Sequence, residues 1–251
     1  MSPVADSASI PRVSLIDSAA NNPPRHMATV RVTHWIAALC FLALLVTGIE
    51  ILISHPRFYW GETGNSGTPA LFELPIPASR ATVQTGYAYV LPDQNGWSRS
   101  LHFQAAWGVV LTGLLYVIFG VVTGHFRRDL LPPVGERSWR ALSAEIGNHL
   151  RLKPGGNDAS YNSLQRVAYI AVIFVLFPGM IWTGLAMSPA FTSAFPATVE
   201  ILGGQQSART IHFFVALSLV LFVLVHVAMV VLAGFESRMR AMISGSAKEQ
   251  A

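Results

Sequence analysis

The chain has 251 residues, of which 52% are hydrophobic and only 12% charged, against the roughly one quarter charged expected of a soluble globular domain. That composition excludes an ordinary soluble enzyme and points to a membrane protein. The net charge is a modest +4, and no basic face interleaved with stacking aromatics is present to take nucleic acid.

In chain order, residues 1–30 read as a polar N-terminal tail, disordered through Pro11, Pro23 and Pro24. No separate short apolar run with a small-residue cleavage site stands before the first long one, so no cleavable signal peptide is expected. A hydrocarbon core about 30 Å thick needs about 20 apolar residues of helix to cross it. Four stretches qualify, over residues 32–54, 101–123, 167–187 and 211–233. Strand-like alternation is missing, and only helices satisfy such long backbones in lipid. The expected fold is therefore an all-α integral membrane bundle of four helices.

Between the first two spans lies a long connection, residues 55–100, containing HPRFYWGETGNSGTPALFELPIPASR. A loop of that length is ordered for a reason or disordered altogether. Phe58, Tyr59 and Trp60 are either interfacial anchors or part of a docking surface. Residues 124–166 connect spans two and three. There Trp139, Leu142, Ile146 and Leu150 recur at helical spacing beside Arg137, Arg140 and Arg151, as in an amphipathic helix resting on the membrane surface. Residues 235–251 read as a tail. Resemblance between spans is confined to the helix starts, so no internal repeat is expected.

Placing both termini and the 124–166 loop on one side gathers thirteen of the seventeen Lys and Arg residues. Only Arg57, Arg80, Arg99 and Arg209 fall opposite. By the positive-inside rule the termini are cytoplasmic, in a bacterial inner membrane. Cys40 is the only cysteine, which excludes an internal disulfide, a thiolate cluster and covalent haem attachment.

Eight histidines are present. His26 and His55 read as loop residues and His149 as interfacial. His34 lies at the cytoplasmic end of span one, His102 at the external end of span two, and span four carries His212 near its external end and His226 toward the cytoplasm. Two levels result: His102 with His212 outside, His34 with His226 inside. Fourteen residues turn a helix to within about 40° of four full turns and raise it about 21 Å, so His212 and His226 share a side of the bundle, one above the other. One facing pair at each level suits six-coordinate iron in a porphyrin, whose ring leaves two axial sites. Zinc would need three or four protein ligands at one level. His125 rivals His34 for the inner level, but it follows the apolar segment and is flanked by Arg127 and Arg128. Met180 and Met187 are candidate axial sulfurs, with core packing the better reading. The glycines in the spans, Gly48, Gly108 and Gly184 among them, either admit a macrocycle or let helices approach closely.

Three of the ligand candidates share one local pattern: Arg31 before His34, Arg99 before His102 and Arg209 before His212. Residues three apart share a helical face, and arginine is a natural partner for a haem propionate.

These residues resemble those of the bacterial dihaem cytochrome b561 type. The features are His34-Trp35, Thr47-Gly48, the R-x-L-H that opens span two, the Y-N-x-L-Q-R of Tyr161–Arg166, and the paired histidines of span four. The resemblance covers about 32–234, and the family includes the membrane subunits of respiratory formate dehydrogenases and nickel-iron hydrogenases. It implies two b haems, with His102 and His212 on the outer iron and His34 and His226 on the inner one. It also implies a quinone near the inner haem, held by Asn162 and more weakly by Gln165. The long HPRFYWG loop departs from the hydrogenase and formate dehydrogenase members and looks more like cytochromes b paired with periplasmic molybdopterin oxidoreductases.

The main expectation is an electron-transfer cytochrome b linking a periplasmic oxidoreductase subunit to membrane quinone, alone or as a homo-oligomer. A stand-alone superoxide:quinone oxidoreductase is the alternative, with Arg80, Arg99 and Arg209 steering the anion. A proton or solute transporter using Glu50 and the histidines is the weakest reading, since the spans show neither inverted repeats nor interrupted helices.

Overall fold

Runs of about twenty apolar residues close their backbone hydrogen bonds most simply as helices, and four such helices dominate the structure, a computed structural model. It describes residues 27–64, 67–75, 94–131, 143, 163–232 and 234–245. Helices long and apolar enough to cross a membrane cover Ala28–Ser54, Gly96–Val122, Gln165–Ala186 and Gln205–Leu232. The chain is an all-α, multi-pass membrane protein. Trp139, Leu142, Ile146 and Leu150 of the expected amphipathic segment, together with His26, His149, Arg80 and Asn162, lie outside the described residues.

Span one is α1 (Ala28–Ser54) and span two is α2 (Gln94–Val122). Span three is built from α3 (Ser163–Ala171), a π-helical turn (Val172–Leu176) and α4 (Phe177–Ala186). Two short helices, α5 (Pro189–Thr192) and α6 (Ala197–Glu200), lead into span four, α7 (Gln205–Leu232), and α8 (Phe235–Ile243) follows. Three of the long helices begin at 28, 94 and 205 rather than at 32, 101 and 211. Hydropathy marks only the part lying in hydrocarbon, whereas a helix satisfies its own backbone through the headgroup layer as well. Arg31, Arg99 and Arg209 are thereby helical.

The π-helical turn has a local cause. Pro178 has no N–H to offer the carbonyl four residues earlier and its ring crowds that position, and a widened turn immediately before it relieves both. Span three is thus loosened at mid-depth without being interrupted.

Burial runs opposite to that of a soluble protein. Large apolar residues such as Leu39, Leu111, Val122, Val175, Leu221 and Leu224 are exposed, while Thr33, Thr47, Ser98, Thr183, Ser207 and Thr210 are buried. Hydrocarbon offers apolar side chains a solvent, and close packing is left to small residues. Helix α1 packs along α2, and α4 along α7. Among the described residues the two pairs touch each other only sparsely through their spans. They are joined mainly at their ends.

At one end β1 (Arg57–Phe58) pairs antiparallel with β2 (Phe72–Glu73), Arg57 opposite Glu73 and Phe58 opposite Phe72. An ion pair of 3.1 Å joins Arg57 to Glu73, and the Glu73 carboxylate pushes the Arg57 guanidinium pKa up. Phe58 stacks on Phe72 at 4.6 Å and meets Phe213 of α7 at 4.6 Å. Phe58 and Tyr59 are therefore buried, and Trp60 alone of the three aromatics is exposed.

The first N–H groups of a helix have no partners inside it, and for α7 this same loop supplies them. Gln205 N–H donates to Glu62 Oε2 at 3.1 Å. The N–H groups of Gln206 and Ser207 donate to the Gly61 carbonyl at 3.0 and 3.2 Å. In return Gly61 N–H donates to Ser207 Oγ at 2.8 Å, and Thr210 Oγ1 donates to the Tyr59 carbonyl at 2.7 Å.

At the opposite end, Gly234 adopts φ +97°, a left-handed stop that glycine tolerates, and α8 turns back toward α1. Arg31 Nη1 donates to the Ile243 carbonyl at 2.9 Å and Trp35 Nε1 to the Met242 carbonyl at 3.1 Å. Residues 235 onward, read from sequence as a tail, thus contain a docked helix carrying its own Glu236–Arg240 pair at 3.0 Å. Both termini of the described chain lie at this end.

Candidate functional site

The four intramembrane histidines form two facing pairs. His102 of α2 faces His212 of α7 with ring centres 6.4 Å apart, and His34 of α1 faces His226 of α7 at 6.3 Å. His125 does not join either pair. Its Nε2 lies 3.3 Å from Tyr116 Oη, and its ring packs among Tyr116, Phe119 and Phe126 beyond the end of span two. Gly124, at φ +69°, turns the chain there.

The spacing of the pairs tests what they would hold. A metal–imidazole bond is about 2.0 Å, and the ring centre lies ~1.1 Å beyond the nitrogen, so two imidazoles on opposite sides of one metal have centres about 6.2 Å apart. Both pairs match that separation. Among the described residues no group of three or more His, Cys, Asp or Glu converges to hold a metal. Two nitrogens in trans, with the remaining four positions left to another donor, is the ligand set of haem iron.

Each ring at the His102–His212 level is set by a threonine. Thr47 Oγ1 donates to the Ala43 carbonyl at 2.7 Å and lies 2.9 Å from His102 Nδ1. Thr183 Oγ1 donates to the Gly179 carbonyl at 2.8 Å and lies 2.9 Å from His212 Nδ1. With each hydroxyl proton directed to a carbonyl, the oxygen accepts from Nδ1–H, which leaves Nε2 with its lone pair for a metal. The following residues, Gly48 and Gly184, also face these rings: a Cβ on either would lie 3.6 or 3.7 Å from the Cε1 of His102 or His212. Gly108 has the other role considered for the glycines, since a Cβ there would come 2.7 Å from Cys40 Sγ. It lets α1 and α2 approach.

The His34–His226 level is built differently. Trp35 stands edge-on to His34 at 5.4 Å. Phe222 stacks on His226 at 5.7 Å, and Tyr169 of α3 meets it at 6.1 Å. Gln165 is half-buried one turn before Tyr169.

The arginines differ in what they do. Arg31 reaches the Ile243 carbonyl, while its buried Nε has no hydrogen-bond partner among the described residues. Arg99 is exposed on α2 one turn before His102. Arg209 donates from Nη2 to the carbonyls of His55 and Arg57 at 2.7 and 2.5 Å and from Nη1 to Gln206 at 3.2 Å, with its guanidinium 5.0 Å from the centre of the Phe58 ring. A guanidinium has five N–H donors, so these bonds do not exhaust it. Met187 packs against the buried cluster of Ala186, Val199 and Ala208 and is core rather than ligand.

Sequence reasoning missed Thr183. The signal was present, since Trp182-Thr183-Gly184 repeats the Thr-Gly of Thr47-Gly48.

Comparison with known proteins gives the chain its family. The chain is 30% identical over 213 residues to a putative protein-methionine-sulfoxide reductase subunit, YedZ1, of Azospira oryzae, covering 82% of this chain and 90% of the relative. It is 28% identical over 233 residues to a probable Ni/Fe-hydrogenase B-type cytochrome subunit of Cupriavidus necator, covering 87% and 84%. A probable Ni/Fe-hydrogenase 1 B-type cytochrome subunit of Escherichia coli K12 is 28% identical over 163 residues, covering 64% and 57%. The family model for prokaryotic cytochrome b561 matches residues 25–245. The chain belongs to the prokaryotic cytochrome b561 family, the b-type haem proteins that act as membrane electron-transfer subunits.

Proposed function

We propose that this subunit holds two b haems, one at each histidine level, and carries electrons between an oxidoreductase partner at the hairpin end and a quinone at the terminal end. The observation that carries the reading is the equal spacing of the two histidine pairs, 6.4 and 6.3 Å, which is the separation of trans imidazoles on one metal. Bound haem supplies a one-electron iron couple. His102 and His212 hold the iron at the hairpin end, and His34 and His226 hold it at the terminal end. Thr47 and Thr183 keep the protons of the first pair on Nδ1. Arg99 and Arg209 pair with propionates at the hairpin end and Arg31 at the other. Leu, Val and Phe side chains along the spans keep water from the path.

The reading includes a sidedness. Thirteen of the seventeen basic residues fall, by sequence, in the terminal segments and the 124–166 connection, which favours the terminal end as the cytoplasmic face of a bacterial inner membrane. The partner is then periplasmic, and a molybdopterin enzyme suits a relative named as a subunit of a sulfoxide reductase. Asn162 and Gln165 hold a quinone carbonyl near His226, with Gln165 standing one turn from Tyr169, which touches that ring.

A haem count tests the proposal. The purified chain yields two haems per polypeptide in a pyridine haemochrome assay, and His212→Ala yields one, with bis-histidine character retained at the other level. A His212→Ala protein that keeps two bis-histidine haems contradicts the assignment.

A further inference from the structure

The two histidine levels share one spacing but differ in what surrounds the rings. At the hairpin end each imidazole is backed by a buried threonine hydroxyl, 2.9 Å from Nδ1 in both cases. Thr47 and Thr183 are 0% and 2% exposed, and the Met180 carbonyl is a further hydrogen-bond partner for the His212 ring. At the terminal end the neighbours are aromatic: Trp35 beside His34, and Phe222 and Tyr169 beside His226.

The two threonines are also placed alike. Thr47 sits on α1 and serves His102 on α2, and Thr183 sits on α4 and serves His212 on α7, so each hairpin of helices carries one copy of the device. Each hydroxyl bonds back to the carbonyl four residues earlier, Ala43 or Gly179. This back-bonding fixes the hydroxyl proton and turns the oxygen lone pair toward the ring. The branched side chain is stiff at χ1 in a helix, which makes the acceptor a fixed one. Each threonine is followed by a glycine that faces the ring, where a Cβ would stand in ordinary van der Waals contact, 3.6 and 3.7 Å from Cε1. Either threonine alone would be an ordinary helix-bending residue. Two of them with the same rotamer bond, ring atom, distance and following glycine, on opposite sides of one slot, amount to a device.

We propose that Thr47 and Thr183 are a matched pair of positioning residues that lock the tautomer and rotation of both hairpin-end imidazoles and lower the potential of the haem they ligate. The inference rests on the haem assignment above. Hydrogen bonding at Nδ1–H raises the basicity of a ligating imidazole, and a more basic ligand favours the oxidised metal. When Fe(III) takes an electron to become Fe(II), the proton stays on Nδ1, and only the strength of the hydrogen bond responds. Among the described residues the ring neighbours of His34 and His226 are Trp35, Phe222 and Tyr169, so the two threonines act on the hairpin-end level.

The test is a potentiometric titration of the full chain in detergent or nanodiscs, followed by haem absorbance and low-temperature EPR, for Thr47→Val, Thr183→Val, the double variant and the Thr→Ser pair. Valine keeps the shape and removes the acceptor. Each valine shifts the Fe(III)/Fe(II) ratio of one haem about tenfold toward Fe(II), near the upper end of what a hydrogen bond contributes, equivalent to about 59 mV for a one-electron couple. The second redox wave stays in place, and the EPR signal of the shifted haem changes as its rings reorient. Serine, which keeps the oxygen, restores both. A protein with two haems and unmoved waves in the valine variants overturns this inference alone, whereas a colourless unmutated protein overturns the haem assignment with it. Where a valine variant loses a haem, ENDOR of the unmutated and serine proteins in H2O and D2O decides. Exchangeable, hydrogen-bonded Nδ1 protons on both ligands of one centre support the proposal, and their absence from both centres refutes it.

Discussion

Gly204 is the position where a single methyl group does most to the end of the bundle. It adopts φ +109°, and a Cβ built on it would lie 2.6 Å from Glu62 N, Gly61 C and Gly61 O. These are backbone atoms and cannot rotate aside. The φ alone costs about 1–3 kcal/mol for a residue with a Cβ, and overpacking adds roughly 1–3 kcal/mol. The loop can relieve the clash only by withdrawing Gly61 and Glu62, which breaks the bonds to the N–H groups of Gln205, Gln206 and Ser207. Gly204→Ala therefore lowers the stability of the loop–helix junction by about 2–6 kcal/mol, and local opening rises at least roughly 30-fold and up to about 10⁴-fold. Hydrogen exchange of the Gln206 and Ser207 amides in nanodiscs reads this directly. The control is Gly96→Ala on α2, where the new methyl meets nothing within 4 Å and helix propensity improves by up to about 1 kcal/mol. Equal exchange in the two variants refutes the reasoning.

Further outcomes follow from the same geometry. His125→Ala leaves the haem count at two, because that ring packs among Tyr116, Phe119 and Phe126; a halved count moves the terminal-end ligand from His34 to His125. Arg209→Ala removes the donor to two loop carbonyls, each charge-assisted bond contributing about 1.5–3 kcal/mol, and accelerates protease cleavage near residues 55–62. Trp35→Phe removes the indole bond to Met242 at about 1 kcal/mol and releases α8, seen as faster trypsin cleavage at Arg238 or Arg240. The Arg57–Glu73 pair strengthens the β1–β2 junction as long as the arginine is protonated. Since its pKa is raised, that contribution is full at neutral pH and, on the alkaline side, falls only on strong alkalinisation. Between pH 6 and 9 added salt, not pH, weakens the pairing, as loop proteolysis at 0.05 and 1 M NaCl would measure.

The spans and the two histidine levels were legible because lipid and helix geometry leave few choices: a run of twenty apolar residues must be a helix, and fourteen residues bring His212 and His226 to one side. That His34 rather than His125 stands across from His226 was legible too, from the depth of each along its helix. Other features depend on contacts between residues far apart in sequence. Nothing local to Gly61 or Glu62 says that they cap a helix starting at Gln205. The docking of α8 rests on Arg31 and Trp35, whose residue types suit a propionate partner and an interfacial anchor equally well. Arg209 was read from its spacing to His212, and its bonds to the carbonyls of His55 and Arg57 come from a loop that has no periodicity to interpret. Thr183 was hidden for another reason: a threonine inside an apolar helix usually bonds its own backbone, and only the ring on the next helix reveals the second use of its oxygen.

The cap on α7 also sets an order of assembly. Glu62 and Gln205 stand 143 positions apart, and a ribosome adding about 5–20 residues per second takes roughly 7–30 s to cover that distance. For that interval the segment after span one has been made while the helix end it is shaped to cover does not exist. Spans one and two can pair early, since they are consecutive, but the join between the two halves of the molecule waits for the fourth helix. The closing of this non-local contact is thus tied to the end of synthesis rather than to the local folding of either half. A ribosome pause placed between spans three and four would lengthen the wait without altering a single residue.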